Sequence, residues 1–125
     1  MKRVINSTNA PKAIGPYSQA IEINGTLYIS GQLPIDVATG KLVGEGISEQ
    51  AAQCMKNIEA ILKEAGYGVI DIVKSTVLLA DMNDFSSVNE VYANFYKEPY
   101  PARVAYQVAK LPLGALIEIE TIAAK

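Results

Sequence analysis

Arg103, Glu118 and Glu120 are the residues whose types and placement in this 125-residue chain point most directly at chemistry. Arg103 follows Tyr-Pro-Ala, where Pro99 and Pro101 restrict the approach of the chain. A guanidinium presented at the start of a strand can grip a carboxylate through two parallel hydrogen bonds, which an ammonium cannot do. A structural ion pair or a solvent-facing arginine is the competing use. Glu118 and Glu120 stand two apart in an extended run and so share a face. In a confined cleft, two such carboxylates raise one another's proton affinity, which suits acid–base work on a water. A solvated polar face, or an ion pair with Lys110, Lys125 or Arg103, is the plainer alternative.

Weaker signals surround these. Ser30-Gly31 ends a β-prone run, and the glycine lets a ligand oxygen approach the backbone beside the serine hydroxyl, although a bulge or turn explains the pair equally well. Tyr17 in IGPYSQ has a phenol that could close a pocket, or a ring that simply packs. Asn89 follows apolar Val88 at the border of a helical stripe, where asparagine commonly organises backbone. Cys54 lies on the apolar side of a helix and reads as an inert core thiol. The chain has no histidine, which excludes imidazole triads, shuttles and metal ligands, and leaves carboxylates, tyrosines, lysines and water as acids and bases.

Composition narrows the class. Half of the residues are hydrophobic and 19% are charged, enough for one packed core over residues 1–125 and too apolar for disorder. Eleven basic against thirteen acidic residues, with only Lys2-Arg3 adjacent among the basic ones, argue against general nucleic-acid binding. One cysteine permits no internal disulfide and no zinc spacing, which fits a reducing compartment. The start MKRVINSTNAPK lacks the apolar segment of a secretory signal, and no run approaches a membrane span of about 20 residues. A cytoplasmic protein is expected.

Several elements must position those residues. AIEINGTLYIS holds two β-prone runs around Asn24-Gly25, a strong hairpin signal. Thr39-Gly40 and Gly44-Glu45-Gly46 predict a second turn. From Ser48, the expected N-cap, Ala51, Met55, Ile58, Leu62 and Ala65 recur at helical spacing, with Gly66 as the exit and Glu59–Lys63 able to pair. Residues 71–80 read as a buried strand. A second helix starts after Asp84, with Phe85, Val88, Tyr92 and Phe95 as its apolar stripe. Strands near 103–108 and 115–123 follow, separated by a turn at Pro112-Leu-Gly114. The order β-β-α-β-α-β-β predicts an α+β fold, with two helices on one face of a mixed sheet. Both faces of the later strands are apolar, which predicts a homo-oligomer covering the second face.

APKAIGPYSQA (10–20), YISGQLP (28–34), EAG (64–66), DFSSVNEVY (84–92), YPARVAYQVAKLP (100–112) and IEIETIA (117–123) together resemble the RidA/YjgF family of enamine/imine deaminases, also known under endoribonuclease and translation-inhibitor names. The resemblance spans essentially the whole chain. It implies a chorismate-mutase-like fold, a homotrimer around a central β-barrel with clefts between subunits, and hydrolysis of 2-aminoacrylate-type enamines and their imines to 2-oxo acids and ammonia without metal or cofactor. Carried over, Arg103 would hold the substrate carboxylate and Glu118 the hydrolytic water. Tyr17, Ser30 and Gly31 would line the cleft, and Asn89 would support it. Glu120 looks structural. Active members often carry cysteine two positions after the arginine; here Ala105 stands there, implying a wider, less polar pocket. A non-catalytic trimer that binds a small carboxylate is the alternative. The acidic balance and missing histidine weigh against ribonuclease chemistry.

Overall fold

Asn24 and Gly25 take positive φ, 50° and 78°, the pair that a tight hairpin turn needs. The turn folds β2 (Ala20–Ile23) onto β3 (Thr26–Gln32) in register from Ile23–Thr26 to Ala20–Ile29. The structure is a computed structural model and describes residues 1–44 and 46–125. Strand β1 (Arg3–Ile5) pairs with the outer side of β2. Of the second expected turn, Thr39-Gly40 joins the strands of a separate two-stranded sheet, β4 (Ile35–Asp36) with β5 (Lys41–Leu42), while Glu45 of the Gly44-Glu45-Gly46 stretch lies outside the described residues.

Helix α1 (Ile47–Ala65) buries the predicted stripe of Ala51, Met55, Ile58, Leu62 and Ala65, with Cys54 and Ile61 alongside. Each large apolar side chain buried this way contributes about 1.5–3 kcal/mol. Gly66 ends the helix at φ 81°, and its N–H reaches the carbonyls of Leu62 and Lys63. The start differs from expectation. Gly46 is the N-cap and Ser48 lies inside the first turn, because Ile47 is drawn against the core and becomes helical itself. Glu59 and Lys63 form no ion pair; among the described residues the ion pair is Arg3–Glu22, at 3.0 Å.

Strand β6 (Ile72–Leu79) leads through helix α2 (Phe85–Phe95) to β7 (Ala102–Gln107), and β8 (Ile117–Ala124) closes the chain. Asp84 occupies the N-cap position of α2 but makes no capping bond. A tight turn over Met82–Asp84 precedes it, and there the Asp81 carboxylate accepts from the Asn83 N–H at 2.9 Å. Strand β8 begins at Ile117 rather than Ala115, since the Leu116 N–H donates to Gln50 of α1 at 2.9 Å.

The main sheet runs β1-β2-β3-β8-β6-β7. Only β6 and β7 are parallel, as their helical crossover requires; the other neighbours are antiparallel. The fold is therefore α+β with a mixed sheet, as the element order predicts. Leu27, Ile29, Val77, Leu79, Ile117, Ile119 and Ala123 point to the helices and are buried. The opposite face carries Leu78, Glu118, Glu120 and Ile122, together with Tyr28, Val104 and Tyr106, which are 43–49% exposed. Within one copy, strand β6 is buried on its helix side at Ser75, Val77 and Leu79 and half-buried on the other at Thr76 and Leu78. No described helix is long and apolar enough to cross a membrane.

Candidate active site

Glu118 owes its surroundings to a break in the sheet. The β3–β8 register shifts between Ile29 and Gln32, and Ser30 and Gly31 fill the irregularity. Ser30 is fixed there, with its hydroxyl donating to the Ser18 carbonyl at 2.6 Å and its N–H to the Gln19 carbonyl at 2.9 Å. Gly31 leaves room for the Glu118 carboxylate: a Cβ at Gly31 would stand 2.6 Å from Oε2. Half-buried there, the carboxyl holds its proton more tightly than an ordinary glutamate, chiefly through desolvation and secondly through the charge of Glu120. A cavity of about 640 Å³ opens above it, with Tyr17, Ser30, Gly31, Leu113 and Glu120 in its walls.

The loop that carries Tyr17 is held from below. Gln19 is buried; its Oε1 accepts from the Ser7 N–H at 2.7 Å, and its Nε2 donates to the carbonyls of Ser7 and Pro11 at 3.0 and 2.9 Å. Asn57 does the same for the opposite wall, donating to the Leu33 and Ile35 carbonyls at 3.1 and 3.0 Å. Leu113 forms part of the rim with its backbone in the left-handed region, φ 60°, a conformation that bulky residues rarely adopt.

Arg103 stands elsewhere. It pairs with Ser75 across β6–β7, so it points to the helix side of the sheet. Glu118 pairs with Leu78 of β6 and points to the opposite side. Within one chain the two therefore lie on different faces and line different hollows. The Arg103 hollow, about 480 Å³, includes Asn89, Tyr92, Tyr100 and Pro101. There the Arg103 guanidinium donates to Asn89 Oδ1 at 2.7 Å and lies over the rings of Phe85 and Tyr92.

The structure thus brings Glu118, Tyr17, Ser30 and Gly31 together in one group and Arg103 with Asn89 in another. Ala105 shares the Arg103 side of β7, but its methyl packs against the core beside Val77 rather than lining the hollow. Glu120 shares the Glu118 cavity. Sequence reasoning missed Gln19, Leu113 and the ring contacts of Arg103. The spacing of Phe85, Asn89 and Tyr92 was the available signal for the last. Among the described residues, no cluster of His, Cys, Asp and Glu side chains forms a metal cage. A larger hollow, about 1020 Å³, runs along α1 but touches neither Arg103 nor Glu118; Lys56, Glu59 and Lys63 on its wall are ordinary surface charges.

Comparison with known proteins is consistent over the full length. The family model for endoribonuclease L-PSP matches residues 7–125. The human 2-iminobutanoate/2-iminopropanoate deaminase is 54% identical over 123 residues, covering 98% of this chain and 90% of that protein. A RutC family protein of Pyrococcus horikoshii is 55% identical over 125 residues, 100% of this chain and 99% of its own. Among solved structures, a Rid family protein of Yersinia pestis superposes with a TM-score of 0.97 at 50% identity, covering 100% of both chains. Escherichia coli TdcF with bound serine gives 0.94 at 40% identity, covering 98% of both. From the family match, these identities and the shared fold, the chain belongs to the endoribonuclease L-PSP family, the RidA/YjgF proteins.

Proposed function

We propose that the protein is an enamine/imine deaminase that hydrolyses 2-imino acids and their 2-aminoacrylate-type enamine tautomers to 2-oxo acids and ammonia. The observation that carries this reading is the Glu118 carboxylate, held half-buried against Gly31 at the floor of a cavity and with raised proton affinity. Such a group can align a water and accept its proton. In the reaction, water oxygen bonds to the C=N carbon and the nitrogen takes up a proton, giving a carbinolamine. A second proton transfer releases ammonia as the C–N bond breaks and C=O forms. Tyr17 and Ser30 line the cleft. Relatives that are more than half identical carry the deaminase name, and the related TdcF binds serine, a small carboxylate.

The substrate carboxylate is assigned to Arg103, whose guanidinium keeps free N–H groups beyond the one given to Asn89. Since Arg103 and Glu118 of one chain face apart, the working cleft joins the Arg103 half of one copy to the Glu118 half of the next. The free outer edge of β7 and the uncovered Tyr28, Val104 and Tyr106 support such an assembly, which we take to be the family homotrimer, its sheets packed around a central barrel. The reduced single thiol fits a cytoplasmic location.

The test is the decay of freshly generated 2-iminobutanoate with wild type, Arg103→Ala, Glu118→Ala and an equimolar, co-refolded mixture of the two variants. Both variants should be nearly inactive. The mixture should regain activity, because some interfaces then pair an intact arginine with an intact glutamate. Wild type that leaves the spontaneous decay unchanged, while binding 2-oxobutanoate, would make the protein a carboxylate-binding trimer instead. A silent mixture of folded, mixed trimers would sink the shared cleft.

A further inference from the structure

One stripe of α2 converges on a single guanidinium. Phe85, Asn89 and Tyr92 stand at i, i+4 and i+7, hence on one side of the helix. That side faces Arg103. Its Cζ lies 5.0 Å from the Phe85 ring centroid and 4.8 Å from that of Tyr92, inside the about 6 Å reach of a cation–π contact. Between the two rings along the helix, Asn89 Oδ1 accepts from Nη1 at 2.7 Å. The polar bond fixes one corner of the guanidinium, and the rings fix its location without using any of its N–H groups.

That distinction matters because Arg103 sits on an edge strand and is itself exposed. An arginine on an open edge samples many rotamers unless something holds it, and a carboxylate gripped by two parallel bonds requires a fixed fork. An acidic clamp would hold the guanidinium too, but would compete with the substrate for its charge. Aromatic faces attract the cation and leave the hydrogen-bonding edges vacant. Tyr92 supports the same reading: among the described residues its buried hydroxyl makes no hydrogen bond to Arg103, which meets only the face of its ring.

We propose that Phe85 and Tyr92 are positioning residues that pre-orient Arg103 for its carboxylate. The proposal rests on Arg103 being the carboxylate anchor, and its test separates the two. Wild type, Phe85→Leu, Phe85→Tyr, Arg103→Ala and Phe85→Leu/Arg103→Ala are compared for affinity to 2-oxobutanoate by calorimetry and for kcat and KM on 2-iminobutanoate. Phe85→Leu keeps apolar bulk but removes the ring. It should weaken binding and raise KM about two- to fivefold, the span of an exposed cation–π contact, with kcat within twofold. Phe85→Tyr should restore wild-type values. In the Arg103→Ala background, Phe85→Leu should change affinity no further. Should Phe85→Leu fail to fold, Phe85→Met carries the same expectations. If Arg103→Ala weakens binding while Phe85→Leu matches wild type, the positioning role is wrong and the anchor stands. The positioning role is equally wrong if the Phe85→Leu defect persists without Arg103. If Arg103→Ala binds like wild type, the anchor falls and the positioning role with it.

Discussion

Gly31→Ala is the sharpest probe of the Glu118 cleft, because it leaves every chemical group in place and moves one of them. The added Cβ would lie 2.6 Å from Glu118 Oε2, 2.9 Å from Cδ and 3.2 Å from Cγ. Ordinary contact begins near 3.4 Å, so the carboxylate oxygen must retreat by about 0.8 Å. It can do so cheaply in folding terms, since it is the free end of a flexible side chain. Alanine also narrows the unfolded ensemble relative to glycine by about 0.4–1 kcal/mol. Stability should therefore change by less than about 1 kcal/mol. Catalysis should suffer far more, because a misplacement near 1 Å in a positioned group costs on the order of 100-fold. The assay is the wild-type and variant decay of 2-iminobutanoate, read beside urea unfolding of both. We expect kcat/KM to fall at least tenfold with the unfolding midpoint nearly unmoved. A variant within twofold of wild type would mean that the Glu118 position in this cavity does not govern the reaction.

Three further outcomes follow from the geometry. Burial and Glu120 raise the Glu118 affinity for its proton above that of the unfolded chain, where the ordinary value is 4.5. The stability linked to this group is present below that pH and is lost as pH rises through the raised folded value. Glu118→Gln should thus gain on wild type in urea midpoint from pH 4 upward, and an offset independent of pH would contradict the assignment. Gln19→Leu removes the bonds that hold Ser7 and Pro11 and should cost about 2–4 kcal/mol in chemical denaturation, whereas a loss under 1 kcal/mol would show that the loop is held by other contacts. Leu113→Gly relieves about 1–2 kcal/mol of left-handed strain against about 0.5–1 kcal/mol of added unfolded freedom. Its Tm should rise by a few degrees, and a lower Tm would mean that the Leu113 side chain holds the turn.

Local rules sufficed where the structure is local. Asn24-Gly25 specifies its hairpin through φ alone, and the stripe from Ala51 to Ala65 specifies α1 through its period. Caps were less legible: the packing of Ile47 moves the start of α1 back to Gly46, and ahead of α2 the capping bond comes from Asp81 rather than from Asp84. At the site, the residue types were readable and their grouping was not. Whether Arg103 and Glu118 share a face depends on two strand registers, Ser75 with Arg103 and Leu78 with Glu118. A shift of one residue in either would bring them to the same side. Phe85 and Tyr92 read as core positions because a ring that packs and a ring that holds a cation leave the same mark at helical spacing. Gln19 gave no signal, since its partners are backbone groups of a turn whose path the sequence does not state.

The parallel pairing of β7 with β6 has a consequence for the order in which the chain takes shape. Ser75 meets Arg103 across 28 residues, of which the 11 of α2 are a helix that forms locally, whereas Ile29 meets Thr121 across 92. Closing the longer loop costs about 1 kcal/mol more in chain entropy, and it gains nothing until both distant segments are in hand. Kinetics thus favour completion of the arginine end as a nearby, early-forming unit. The glutamate end waits for the two termini of the chain to meet. A mutation that slows this late closure would leave a population with the arginine end built and the seam between β3 and β8 still open.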